Sequence, residues 1–273
     1  MTRTARPLRL LMCRPEHFAV SYEINPWMDP ARPVDVARAL AQWDGLRATL
    51  EGLGHAVELV PGGPGLPDMV YTANGGLVTP EGTVGARFAH PQRAGEQELL
   101  DAWLTGAGFG PVHRPVEVNE GEGDVLPVGE HLLAGHGFRT TRAAHGELAR
   151  VLGRPVTSLR LVDPRFYHLD TALTVLDDDP DHPDVAYFPG AFDEPSRAVL
   201  RELFPGALVT DEATAGVLGM NAIGDGRHVV LSPRATGYAR ALRERGYEPV
   251  PVDLSELLRG GGGPKCCVLV LRG

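Results

Sequence analysis

Residues 260–267 read Gly-Gly-Gly-Gly-Pro-Lys-Cys-Cys and run straight into the apolar residues Val268, Leu269, Val270 and Leu271. Glycines let a backbone take conformations closed to other residues and come close to a ligand. The apolar run that follows has the unbroken character of a buried strand. The loop therefore delivers a cysteine to the mouth of a core strand, beside Lys265, the only lysine of the chain. A neighbouring cation or open backbone N–H groups favour the thiolate, which is the nucleophilic form. Free cysteine also serves as a small core residue, so the stretch by itself fits either use.

Three other clusters could supply what a thiolate needs. Tyr167-His168-Leu169-Asp170 reads as part of a strand, in which residues two apart share a face. His168 and Asp170 would then project together, one for proton transfer and one to hold a cation. A buried histidine paired with a carboxylate for structural reasons would look the same. Glu120-Gly121-Glu122-Gly123-Asp124 interleaves three carboxylates with glycines. Carboxylates hydrogen-bond guanidinium and ammonium groups well, while the twelve-residue spacing of a calcium-binding EF-hand is absent. Asp68 lies before, and Asn74 within, another glycine-containing turn. Arg87, Arg93 and Arg139 offer planar forks suited to a small-molecule carboxylate. Other signatures are missing. Cys266 stands where a phosphate loop needs Ser or Thr, adjacent cysteines suit a tetrahedral zinc ion poorly, and no GxSxG or dinucleotide fingerprint occurs.

Periodic segments must position these groups. Residues 8–12 read as a first strand, followed by a proline-rich loop over residues 14–33 containing Tyr22-Glu23-Ile24-Asn25-Pro26-Trp27-Met28. Loops of that length are commonly binding loops or lids. Helical spacing runs over residues 34–53, and shorter helices are predicted over 96–104, 141–152, 196–203 and 234–245. Strands are predicted over 55–60, 116–118, 125–128, 158–162, 166–176 and 186–188, with 220–223 and 228–231 paired around Gly224-Asp225-Gly226. The closing strand is predicted to start near Cys266. Strand pairs separated by one helix, recurring at intervals of roughly fifty residues, suit a repeated β-β-α-β unit better than a doubly wound sheet or a sandwich. No linker divides the chain, so residues 1–273 read as a single catalytic domain.

Composition narrows the function classes. With 43% hydrophobic and 22% charged residues the chain is ordinary for a globular protein. A formal charge of −9 argues against a nucleic-acid groove and favours a small cationic ligand. No stretch is long and apolar enough for a membrane span, and the basic N-terminus lacks a signal-peptide core. Cys13, Cys266 and Cys267 are too few for a disulfide framework, which points to a reducing, cytoplasmic setting.

Taken in order, Asp68, the Glu120 to Asp124 motif, His168-Leu169-Asp170 and the glycine loop ending at Cys266 resemble the guanidine-modifying enzymes. That superfamily contains arginine deiminases, dimethylarginine dimethylaminohydrolases, arginine dihydrolases and amidinotransferases. The resemblance extends from Met12-Cys13-Arg14-Pro15 to the end of the chain. It implies an α/β pentein propeller of five β-β-α-β units around a pseudo-fivefold axis, with no metal and no organic cofactor. Cys266 would attack the guanidinium carbon, His168 would protonate the departing amine and then activate water, and Glu120 would support the histidine. Asp170 and Asp68 would hold the cationic substrate, and Arg93 and Arg139 its carboxylate. The acidic motif is one residue longer than the common Glu-Gly-Gly-Asp form, which leaves Glu122 as an alternative to Glu120. Thr72-Ala73-Asn74, with Asn where relatives carry an acid, together with Ile24-Asn25-Pro26-Trp27-Met28 looks most like the arginine dihydrolase branch. The expected partner is a small arginine-like substrate rather than nucleic acid or membrane, with self-association into a homo-oligomer left open. Transfer of the amidino group to an acceptor amine is the alternative chemistry, and a non-catalytic metabolite-binding pentein the alternative of another class.

Overall fold

The computed structural model describes residues 3–273. Its first strand, β1 (Arg9–Cys13), is followed by the helix Val36–Gly52 and then β2 (Ala56–Val60). Asp35 caps that helix by accepting a hydrogen bond from the Arg38 amide, and Ala39, Trp43, Leu46 and Leu50 form its buried stripe. The next unit pairs β3 (Gly76–Thr79) with β4 (Gly82–Gly85), then runs through the helix Glu96–Leu104 to β5 (Val112–His113). The third joins β6 (Val125–Val128), β7 (His131–His136), the helix Arg142–Leu152 and β8 (Thr157–Arg160). In the fourth, β9 (Leu173–Asp177), β10 (Asp184–Tyr187), the helix Glu194–Leu203 and β11 (Leu208–Val209) follow one another. The fifth contains β12 (Ile223–Gly224), β13 (His228–Leu231), the helix Thr236–Glu244 and β14 (Glu248–Pro251). The closing strand β15 (Leu269–Val270) returns to β1 and completes the first unit.

Five three-stranded sheets result among the described residues. In each, the middle strand is antiparallel to the strand before it and parallel to the strand after the helix. This is the pentein arrangement of β-β-α-β units. The middle strands β1, β4, β7, β10 and β13 are apolar and largely buried, so each unit contributes one core strand. Among the described residues no helix is long and apolar enough to cross a membrane.

The repetition also organises the chemistry. Each sheet is entered through an irregular, 3₁₀ or single-turn helical segment just ahead of its first strand. Those five segments carry Asn74, Glu122, Asp170, Asn221 and Cys266. Two predicted strands change character for this reason. Residues 166–176 are not one strand, because Pro164–Phe166 and Leu169–Thr171 are 3₁₀ turns and pairing begins only at Leu173. Cys266 and Cys267 lie in a turn ahead of β15. Strand alternation therefore does not explain the His168–Asp170 pair. Residues 116–118 form no strand either; the backbone there bridges only from Asn119 to Arg87.

Candidate active site

The acidic motif folds into one helical turn, Gly121–Asp124, with Glu120 at its N-terminus. Its three carboxylates go to three places. Glu120 Oε2 lies 2.6 Å from His168 Nε2 and 3.1 Å from Arg139 Nη1, and its Oε1 accepts the Ala89 amide at 2.9 Å. Glu122 faces the other way, accepting Lys265 Nζ and the Val270 amide, each at 3.1 Å, and pairing with Arg272. Asp124 ties two backbone segments together through the Thr140 amide at 3.1 Å and the Leu169 amide at 3.0 Å, so it fixes the turn that carries His168. The motif's second glycine has a steric reason: a Cβ on Gly123 would lie 2.2 Å from Asn74 Nδ2 and 3.2 Å from His168 Nδ1.

These contacts set the charges. Burial alone would raise Glu120, but the hydrogen bond and charge of His168, then Arg139 and Arg93, hold its carboxyl well below the usual range. An ionised Glu120 is the partner that a protonated imidazole requires. Glu122 is likewise raised by burial but lowered overall, by Arg272, Lys265 and the Val270 amide. Lys265, expected beside the thiol, gives its hydrogen bonds to Glu122 and the Val268 carbonyl, and its charge acts on Cys266 in the thiolate-favouring direction but less than Asp170 acts against it.

Cys266 is 2% exposed, and its Sγ has two polar neighbours, Asn221 Nδ2 at 3.1 Å and Asp170 Oδ2 at 3.3 Å. Its carbonyl accepts the Ala73 amide at 3.1 Å, one residue from Asn74, whose Nδ2 is 3.5 Å from His168 Nδ1. The backbone bond from Ala73 to Cys266 thus seats Asn74, the neighbour of His168, next to the residue that carries the thiol. Burial and then the Asp170 charge push the free thiol well above its ordinary value. Cys267 is fully buried in the apolar cluster around β1 and Trp43. The glycine loop is packed, not loose. A Cβ on Gly262 would sit 2.4 Å from the Tyr71 ring, and Gly261, with φ +94°, has its carbonyl held by Tyr167 Oη at 2.8 Å.

Two carboxylates are only half used. Asp68 accepts Tyr22 Oη at 2.9 Å on Oδ2, and Asp170 faces the thiol on Oδ2, while the Oδ1 atom of each is buried without a partner. Burial raises both carboxyls; Arg93 and Tyr22 oppose this at Asp68, and His168 and Lys265 at Asp170. Such orphaned oxygens are costly unless a ligand supplies donors.

The arginines are anchored. Arg93 forms a fork with Glu96, both contacts 2.8 Å, and donates to Asn74 Oδ1 at 2.7 Å. Longer contacts reach the carbonyls of Asp68 at 3.2 Å and Tyr71 at 3.5 Å. Arg139 stacks 4.7 Å over the Tyr167 ring and holds the Ile24 carbonyl at 2.7 Å. Asn25 does not face the carboxylates. Its Nδ2 donates to the Gly260 carbonyl at 3.1 Å and its Oδ1 accepts the Trp27 amide at 2.9 Å, so it fastens residues 22–28 to the glycine loop. Arg87 stays outside the cluster, on the Val116 carbonyl. The sequence reading did not single out Glu96, Tyr71, Tyr167 or Asn221. Only Asn221 had a positional signal, since it precedes its hairpin as Asn74 does.

No protein-family model matches the chain. A curated relative named N(G),N(G)-dimethylarginine dimethylaminohydrolase, from Mycobacterium tuberculosis, is 55% identical over 267 residues, covering 98% of this chain and 87% of that protein. The bifunctional arginine dihydrolase/ornithine cyclodeaminase ArgZ of Synechocystis is 36% identical over 271 residues, 97% of this chain but only 38% of ArgZ. Among solved structures, the substrate-bound N-terminal domain of ArgZ, described as an arginine dihydrolase, superposes with a TM-score of 0.91 at 36% identity, covering 97% of this chain and 98% of that one. A variant of the same domain covalently bound to a reaction intermediate gives 0.90 at 35% identity, with 97% of each chain covered.

Proposed function

The chain belongs to the guanidine-modifying hydrolases of the pentein superfamily, and on that footing we propose that Cys266 opens the guanidino group of arginine or an N-methylated arginine. One observation carries the assignment of roles: a buried thiol in contact with a half-used carboxylate, on a residue whose backbone carbonyl anchors the Ala73-Asn74 turn, where Asn74 meets a histidine that an ionised glutamate holds. A guanidinium is resonance-stabilised and a poor electrophile, so it needs a soft nucleophile, carboxylates to orient it and an acid for the leaving nitrogen.

In this reading the substrate's N–H groups satisfy the orphaned oxygens of Asp170 and Asp68, and its positive charge offsets the carboxylate that keeps Cys266 a thiol. As the substrate binds, the thiol releases its proton to solvent, and the thiolate adds to the guanidino carbon. The bond to the leaving nitrogen breaks as His168 protonates it, releasing ammonia or a methylated amine. His168 then takes a proton from water, which adds to the thiouronium carbon. The C–S bond breaks, returning the thiolate and leaving a ureido product. Glu120 stabilises the imidazolium between the two half-reactions. Arg93 and Arg139 receive the substrate carboxylate by exchanging their contacts to backbone carbonyls, the longest of which are the Arg93 contacts at 3.2 and 3.5 Å. Asn74, fixed by Arg93 and facing His168, orients the ring, and Asn25 holds the loop that covers the site. Glu122 serves the frame and not the reaction. Three free cysteines suit a reducing compartment, and we assign the protein to the cytoplasm.

The test is product analysis by mass spectrometry after separate incubation with L-arginine and asymmetric dimethylarginine. Citrulline accompanied by ammonia or dimethylamine is expected, with ornithine and further ammonia if the ureido product is also cleaved. Absence of any ureido or amine product from either substrate, or turnover only when an acceptor amine is added, overturns the proposal.

A further inference from the structure

Asn221 is fully buried just ahead of β12 and makes four hydrogen bonds with one carboxamide. Its Oδ1 accepts the backbone amides of Gly263 at 3.0 Å and Cys266 at 3.1 Å. Its Nδ2 donates to the Asp170 carbonyl at 3.1 Å and to Cys266 Sγ at 3.1 Å. The direction of the amide follows from its surroundings. Turned over, its NH₂ would meet two N–H groups, and its oxygen would meet a carbonyl and the sulfur. The backbone of the glycine loop therefore forces an N–H toward the thiol.

That N–H opposes the other neighbour of the sulfur. Asp170 Oδ2, at 3.3 Å, accepts a thiol proton but repels a thiolate. Lys265, the cation nearest in sequence, is engaged by Glu122. Among the described residues, Asn221 Nδ2 is the one nitrogen donor in hydrogen-bond contact with Sγ. We propose that Asn221 is the thiolate-holding residue of the site, its N–H stabilising the charged sulfur and its oxygen fixing the backbone that presents it. The two halves of the amide have separate duties. This inference rests on the reading of Cys266 as nucleophile. A donor aimed at developing charge in a dry site is worth far more than one in water.

Two variants separate loss of the donor from added charge: Asn221→Asp keeps both acceptor contacts to the loop but sets a carboxyl against the sulfur, and Asn221→Ala removes the donor without adding charge, so the shifts below must appear in both. The readout is the pH dependence of Cys266 alkylation by iodoacetamide, mapped by peptide mass, together with steady-state kinetics on the full chain. The midpoint of alkylation is expected to rise by about one pH unit, a roughly tenfold slower reaction below it. The value of kcat should fall by about 10²-fold, with KM changed less than about threefold. Alkylation profiles that superimpose on those of the parent overturn the proposal. If either variant does not fold, the parent decides. The side-chain amide signal of Asn221, followed by NMR with ¹⁵N-labelled asparagine, should shift with the same midpoint as alkylation, and a signal that does not move overturns the proposal. Turnover surviving in Cys266→Ser would instead remove the nucleophile reading itself, which keeps the two failures apart.

Discussion

Glu120 and Glu122 stand two residues apart in one acidic turn, and they meet entirely different partners. Glu120 meets an imidazole, a guanidinium and a backbone amide. Glu122 meets Lys265, Arg272 and the amide of the closing strand. Both are fully buried and both are held ionised, so burial and charge state do not separate them. What separates them is the partner. A carboxylate facing a group that can exchange a proton can take part in chemistry, whereas one locked between permanent cations and a backbone amide ties the chain end into the frame. The two cysteines repeat the contrast, Cys266 facing Asp170 and Asn221 while Cys267 packs among apolar side chains.

The cysteines offer the largest effect. Cys266→Ser should lower kcat by at least about 10⁴-fold, as removal of a nucleophile does. Cys267→Ser should leave kcat within about threefold and destabilise by about 1–3 kcal/mol, the cost of an unsatisfied buried hydroxyl. Kinetics and thermal melts of the same two samples check both halves, and equal activity losses would erase the distinction. Among the glutamates, Glu120→Gln should reduce kcat by about 10²–10⁴-fold through loss of general acid–base support. Glu122→Gln should keep turnover per folded molecule but lower stability by about 3–5 kcal/mol, because it leaves buried cations unpaired. If Glu122→Gln proves the less active and the more stable of the two, the roles are reversed.

The smallest effect lies in acid stability. A carboxyl held below its ordinary value in the folded state gives stability that is present above that value, 4.5 for Glu122, and is lost as pH falls through the folded one. Below about pH 4.5 the parent should therefore lose stability more steeply than Glu122→Gln. Denaturant melts at stepped pH measure the slopes, and parallel slopes would show that Glu122 does not carry this term.

Much of this arrangement was legible in the sequence because each unit repeats its own signals. Helical spacing, glycine turns and short apolar runs marked the β-β-α-β rhythm, and the ordered acidic, histidine and cysteine motifs marked the candidate site. The geometry between motifs was not legible. His168 and Asp170 do lie together, yet on a 3₁₀ turn fixed by Asp124 rather than on a strand, and local periodicity does not report such a tertiary restraint. The four glycines looked like flexibility, but Tyr71 and Tyr167, distant in sequence, make them a packing requirement. Lys265 looked like a direct partner for the thiol, but Glu122 takes its ammonium and only its charge bears on the sulfur. Asn221 was hidden because a lone asparagine before a hairpin is common turn chemistry. Only closure of the five units brings it to the sulfur.

The most direct test of the central claim is acid quenching of the protein during turnover of arginine, followed by intact-mass and peptide-mass analysis. The account predicts a substrate-derived thiouronium adduct on the peptide containing Cys266, formed at a competent rate and absent from Cys266→Ser. Turnover with no adduct on that peptide, or an adduct carried by another residue, would contradict it.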